Sequence, residues 1–247
     1  MVWFHKFDEI STAKIRKSLL RIQEADAERG NRVLYVVVSR KFVPITSLIG
    51  DEFLSAWWQV VLCHYTLWKH GVHHCDVSPS NIMACWLNGR WIGVLNDYDL
   101  SSIQCDGLSG HERIGTVPFM AIDLLKENAI SGKTTHLYRH DAESLVWILV
   151  WVCLRYEEGK LLNSGRRLDN WLKVDANGCR QKKAALMWTS RHGDADLEQF
   201  SPSHQSNWKV AVTCLRTIFY APQSYFQDDQ SVFQIWLLAN VQSSLRT

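Results

Sequence analysis

The sequence predicts an α+β fold that is mainly α-helical, and three observations lead there. Phe53, Trp57, Val60, Val61, Tyr65 and Trp68 recur at the spacing of one helix face. The apolar run from Leu145 to Leu154 is too short to cross a bilayer and too long for an exposed helix, which makes it a buried central helix. Asn88-Gly89 separates two apolar-rich runs, Cys85 to Leu87 and Trp91 to Leu95, and that dipeptide best tolerates the positive φ angles of a two-residue type I′ turn. With 247 residues, 47% of them hydrophobic, one main domain with a small appendage is expected.

Taken in order, residues 11–28 read as an amphipathic helix, with Ile15, Leu19, Ile22 and Ala25 on one stripe and Gly30 after its end. Glu24 and Glu28 then belong to a solvated face. Val33 to Val38 is a β-branched strand, and Ser39 to Pro44 connects it to the rest. Asp51, after Gly50, caps the helix that carries Phe53 to Trp68, and Gly71 ends it. In the hairpin, pairing Leu87 with Arg90 continues outward until Asn81 lies opposite Asn96, beside Asp97. The segment from Asp97 to Asp123 reads as irregular, with Ser101, Ser102, Ser109 and Thr116 as phosphoacceptor candidates, although Thr116 better suits a brace that bonds the loop before the hairpin through its hydroxyl. From Leu161 to His204 the composition turns polar, with Asn163-Ser164-Gly165 and Asn177-Gly178 marking turns, before helices near 207–220 and 231–241.

A formal charge of +2 with near-balanced acids and bases gives no electrostatic case for nucleic acid or a membrane as partner. Seven scattered cysteines, odd in number and without a C-x-x-C pair, suit reduced thiols in an intracellular protein, cytoplasmic or nuclear. Asp8 and Glu9 interrupt the apolar stretch that a signal peptide would need. His64, His70, His73 and His74 lack zinc-site spacing, and His74 is expected to be a packed scaffold residue.

The chemistry is concentrated in two stretches. His74-Cys75-Asp76-Val77-Ser78-Pro79-Ser80-Asn81 reads H-x-D-x-x-x-x-N, and Asn96-Asp97-Tyr98-Asp99 resembles a modified D-F-G; these are the catalytic loop and metal-binding turn of kinases. The hairpin brings Asn81 and Asp97 together, an amide oxygen and a carboxylate, both hard ligands suited to magnesium. Asp76 is left to accept or orient the proton of an attacking hydroxyl. The plain alternative is that these Asp and Asn side chains form turns or caps.

Further phrases carry a family resemblance. With the two stretches above, Leu67-Trp68-Lys69, Gly71-Val72-His73-His74, Gly93-Val94-Leu95, Gly115-Thr116-Val117-Pro118-Phe119-Met120-Ala121 and His140-Asp141-Ala142-Glu143-Ser144 resemble the fungal-type protein kinases, a divergent branch of the protein kinase-like fold. The likeness runs from about Ile10 almost to the C terminus. It implies a kinase-like large lobe over 51–247 and a remnant of the small lobe with the hinge over 1–50. It also implies an ATP-dependent serine/threonine phosphotransferase acting on a protein substrate, with Asp76, Asn81 and Asp97 catalytic, Asn81 and Asp97 holding Mg, and Ser78, Asn81 and Asp97 at the ATP phosphates. Gly115 to Asp123 resembles the end of an activation segment, with Ala121-Ile122-Asp123 in the place of A-P-E. Asp141 resembles the buried aspartate that ties the catalytic loop to the domain floor, with a helix N-cap as its alternative reading.

The departures are equally specific. Cys75 stands where the protein kinase loop usually has arginine, Ser78 where serine/threonine kinases usually have lysine, and Asp99 in place of the D-F-G glycine. Only Gly30 and Gly50 occur in the first fifty residues, so no G-x-G-x-x-G is possible, and Lys6, Lys14, Lys17 and Lys41 stand in no V-A-I-K-like strand. Most of the small lobe is therefore expected to be missing, through natural truncation, a shortened gene model or a decayed nucleotide grip. Two rivals to the enzyme remain: a pseudokinase acting as a binding module, and a small-molecule kinase of the choline or aminoglycoside type, against which the peptide-positioning Gly115-Thr116 platform argues.

Overall fold

A computed structural model of the chain describes residues 3–21, 23, 26, 33–38, 41–98, 102–103, 115–192, 200–220 and 228–241. The class is α+β with small sheets and a helical majority. The chain divides into two compact units, Met1–Phe42 and Val43–Thr247. Among the described residues no helix is long and apolar enough to cross a membrane.

In the first unit, β1 (Trp3–Ser11) pairs antiparallel with β2 (Val33–Val38), from Trp3 opposite Val38 to Phe7 opposite Leu34. β2 spans the expected strand. β1 was not anticipated, because His5-Lys6 and Asp8-Glu9 break any apolar alternation, and it places Lys6 on a strand opposite Tyr35. Ser11 Oγ accepts the Lys14 N–H at 3.2 Å and so caps α1 (Thr12–Leu20). Arg21, at φ +51°, ends this helix well short of Glu28, and the expected stripe is not a buried one: Ile15 and Leu19 are exposed, while Ala13 is buried. Ile22, Glu24, Ala25 and Glu28 lie outside the described residues.

The second unit begins with β3 (Val43–Pro44), which pairs with β5 (Ile82–Leu87). β5 pairs in turn with β6 (Arg90–Leu95) to give a three-stranded sheet of order β3-β5-β6. Val43 and Pro44 thus leave the connector and join this unit; Ser39 and Arg40 lie outside the described residues. α2 (Gly50–Lys69) has Ile49 as N-cap, so Asp51 is no cap but sits with Glu52 in the first turn, where a carboxylate meets the positive end of the helix dipole. Phe53, Trp57, Val60 and Val61 are wholly buried, and the Trp57 indole donates to Leu145 O at 3.0 Å. β4 (Val72–His73) follows and pairs with β7 (Ser102–Ile103).

After the short α3 (Glu127–Ile130) comes α4 (Tyr138–Arg155), the expected central helix, buried along almost its whole length. A small hairpin, β8 (Tyr156–Glu157) and β9 (Lys160–Leu161), leads out of it. Asn177-Gly178 marks no turn: it opens α5 (Ala176–His192), and the Gly178 N–H is taken by Asp175 Oδ1 at 2.7 Å. The stripe of α5 is Cys179, Lys183 and Met187, all buried, and a lysine at its centre hides the amphipathic pattern. α6 (Gln205–Tyr220) and α7 (Asp229–Val232), which continues into a π-helical turn at Phe233–Leu238, match the two C-terminal helices expected.

Candidate functional site

The hairpin has the register that its turn chemistry demands. Asn88 and Gly89 have φ of +50° and +78°, Leu87 pairs with Arg90, and the ladder continues to Ile82 opposite Leu95. One step further, the Asn96 N–H donates to Asn81 O at 2.8 Å. Asn81 therefore stands across from Asn96, with Asp97 as the next residue.

Asp76 is held from two sides. Its Oδ1 accepts both the Thr116 backbone N–H and the Thr116 hydroxyl, each at 3.1 Å, so the expected hydroxyl brace is present. Asn81 Nδ2 donates to Asp76 O at 2.9 Å and reaches Oδ2 at 3.4 Å. A carboxylate offers about four acceptor positions, and Oδ2 with its single long contact keeps room for another donor. These bonds set the rotamer of Asp76 before any substrate arrives.

His74 links the loop to the turn beyond the hairpin. It is 1% exposed, its Nε2–H donates to Asn96 O at 2.9 Å, its Nδ1 accepts the Asp76 N–H at 3.4 Å, and its ring meets Tyr98 edge-on at 4.9 Å. This is the scaffold role expected of it. Cys75 and Asp97 both adopt left-handed backbone, at φ +64° and +61°, a conformation costing a non-glycine residue about 1 kcal/mol or more. Strain of this kind, at one residue beside Asp76 and at another beside Asn96, marks a region that the surrounding structure forces into shape.

Asp141 supplies part of that force. It is 1% exposed and lies inside α4, whose N-cap is Leu137, so it ties the loop and is not a cap. Its Oδ2 accepts from His64 Nε2 at 2.9 Å and from the strained Cys75 N–H at 3.4 Å, while Oδ1 meets His136 Nε2 at 2.6 Å. Burial alone would raise its pKa, but the two imidazoles hold it well below the ordinary carboxylate range. The other histidines are engaged elsewhere: His73 stacks on Trp68 at 3.7 Å and His70 Nδ1 meets Thr66 O.

Asn81 is 6% exposed, and with its Nδ2 spent on Asp76 its Oδ1, contacted by Ser80 Oγ at 3.3 Å, is the oxygen left for a cation. Asp97 adds an exposed carboxylate. An amide oxygen and a carboxylate are the sparse, hard donor set that magnesium takes, so the residues fit that ion. Among the described residues no group of three His, Cys, Asp or Glu side chains could hold a metal. Ser78 is 1% exposed, with its hydroxyl bonded to Ser80 Oγ at 2.8 Å. Asp99, Ser101 and Ser109 lie outside the described residues.

Two residues to which sequence reasoning gave no role also reach this region. Glu143 Oε1 accepts the Ile122 N–H at 2.8 Å, and Lys183 Nζ donates to Met120 O at 2.5 Å. Lys183 recurring every fourth residue with Cys179 and Met187 was the available signal. Asp123, by contrast, is half-buried and bridges Lys126 and Arg139.

With the braced carboxylate and the hairpin placed, comparison with known proteins identifies the family. The profile described as fungal protein kinase matches residues 5–153, more than half of the chain's 247 residues. The chain belongs to the fungal protein kinase family, and its function is kinase-like in general terms. No curated protein matches it.

Proposed function

We propose that the chain is a phosphotransferase that moves the γ-phosphoryl group of ATP to a serine or threonine hydroxyl of a protein substrate, with 51–247 as a protein kinase-like large lobe and 1–50 as small-lobe and hinge sequence. The observation that carries this reading is the Asp76 carboxylate, fixed by Thr116 and Asn81 beside the hairpin that bears Asp97. Asp76 Oδ2 accepts the hydroxyl proton and aims the oxygen, while Oδ1 stays on Thr116. Asn81 Oδ1 and Asp97 would hold magnesium at the ATP phosphates, where Ser78, in the loop between Asp76 and Asn81, would also lie. When bound there, the ion neutralises charge on the transferred phosphoryl group. The Gly115 to Asp123 segment receives the peptide next to Asp76.

The test is transfer of labelled phosphate from Mg-ATP to a serine/threonine peptide by the purified chain. Asp76→Asn is expected to lower turnover by about 10²- to 10⁴-fold, the usual contribution of a positioned base. Transfer undiminished in that variant would remove Asp76 from the mechanism. The alternative reading is a pseudokinase that binds partners without turnover. Nucleotide titration with and without magnesium separates the two, because metal-dependent ATP binding counts against the second.

A further inference from the structure

Glu143 and Lys183 have no part in the chemistry proposed above, yet both are buried, at 7% and 0% exposed. Removing a carboxylate and an ammonium from water costs several kcal/mol per ion, and such pairs ordinarily bond to each other. Here no ion pair joins them. Each instead grips the backbone of one segment. Lys183, from α5, donates to Met120 O at 2.5 Å, and Glu143, from α4, accepts the Ile122 N–H at 2.8 Å and the Trp147 indole N–H at 2.9 Å. One turn before Lys183, the Cys179 thiol donates to Val117 O at 3.8 Å. The ammonium lies over Trp147 at 4.7 Å and Trp171 at 5.5 Å, where ring faces offset part of its lost hydration.

The gripped carbonyl and amide flank Ala121 and lie a few residues from Thr116. Between them the Phe119 and Met120 N–H groups both donate to Thr116 O, at 2.8 and 3.2 Å, which closes a tight turn. A displacement at Met120 is thereby carried to Thr116, and through its two bonds to Asp76 Oδ1.

We infer that Lys183 and Glu143 are positioning residues: together they clamp 115–122 from behind, so that Thr116 holds the Asp76 carboxylate in register and the same segment presents a peptide hydroxyl to it. This rests on the reading of Asp76 as the residue that orients the hydroxyl. The clamp uses charge for a physical reason. A buried backbone carbonyl and a buried N–H each need a partner, and an ammonium and a carboxylate reaching from two different helices supply stronger bonds than neutral groups would. Burial pushes the Lys183 pKa down to about 8 against the opposing pull of Glu143, so the group is still an ammonium at neutral pH.

The experiment compares Lys183→Met with the double variant Glu143→Gln/Lys183→Met. The double variant leaves no unpaired buried charge and keeps a Gln oxygen for the Ile122 N–H, so it guards against simple unfolding. Two quantities are read: hydrogen exchange of the 116–122 amides, and steady-state phosphate transfer with KM for peptide and for Mg-ATP determined separately. In both variants, exchange over 116–122 is expected to rise tenfold or more while that of α2 stays unchanged. kcat over peptide KM is expected to fall about tenfold, with KM for Mg-ATP within twofold of the parent. Unchanged exchange in the double variant overturns the clamp, and so does transfer at the parent level despite loosened exchange. Loosened exchange in a chain whose transfer survives Asp76→Asn overturns the reading of Asp76, and with it the positioning role, so the two failures are told apart.

Discussion

Thr116 presents two donors to one oxygen of Asp76, and only one of them belongs to its side chain. Thr116→Val keeps the shape and the backbone bond but deletes the hydroxyl bond. A hydrogen bond to a charged acceptor contributes about 1.5–3 kcal/mol, so kcat/KM for phosphate transfer is expected to fall roughly tenfold or more in this variant. Thr116→Ser, which retains the hydroxyl, is expected to keep most of the activity. Steady-state kinetics on the two variants check this; equal rates would mean that the brace is structural only. At the same scale, the left-handed Cys75 is tolerated because its N–H finds Asp141 Oδ2, so that the cost of its backbone is offset by a buried acceptor.

At the scale of elements, the hairpin and α2 explain why the site stays rigid. β6 lies so close to α2 that a Cβ added at Gly93 would land within the Ala56 carbonyl group, and neither backbone can yield without moving an element. Gly93→Ala is expected to destabilise by about 3 kcal/mol, the upper range for overpacking. Gly89→Ala meets no atom within 4 Å and costs only its positive φ, about 1 kcal/mol. Urea unfolding of both variants gives the comparison, and similar losses would show that α2 and β6 do not approach as described. The pairing of Asn81 with Asn96 depends on this contact, because β6 carries Leu95 into the turn that begins at Asn96.

For the molecule as a whole, acid is the sensitive direction. His140 is 1% exposed, and its Nδ1 accepts the Leu137 N–H at the start of α4, so protonation would both bury a charge and remove that acceptor. Burial is the main cause of a pKa pushed down to about 3. In the unfolded chain the same imidazole titrates near 6.5, so the unfolded state binds the extra proton first and stability falls as pH drops below that value. From pH 7 to pH 5, His140 alone is expected to remove about 2 kcal/mol. Burial lowers His73 and His204 as well, adding in the same sense. The contribution of Asp141, also lowered, is lost only at more acid pH, below about 4. Urea midpoints at pH 7, 6 and 5 test this, and a flat profile would contradict it. How much of this was readable beforehand follows range along the chain. Turn chemistry at Asn88-Gly89, the periodicity of α2 and α4, and the loop from His74 to Asn81 are local patterns, and they determined the hairpin register, the central helices and the residues on which the proposal depends. Local patterns failed where polar residues face inward: α5 passed for a polar connector because Lys183 interrupts its buried stripe, and β1 passed unseen because charges break its alternation. Thr116 on Asp76, His64 on Asp141 and Lys183 on Met120 join residues 40, 77 and 63 positions apart. Only the packing of the helices around the loop decided those pairs, since a buried polar group must find its partner in space, and sequence neighbours carry no record of which one it finds.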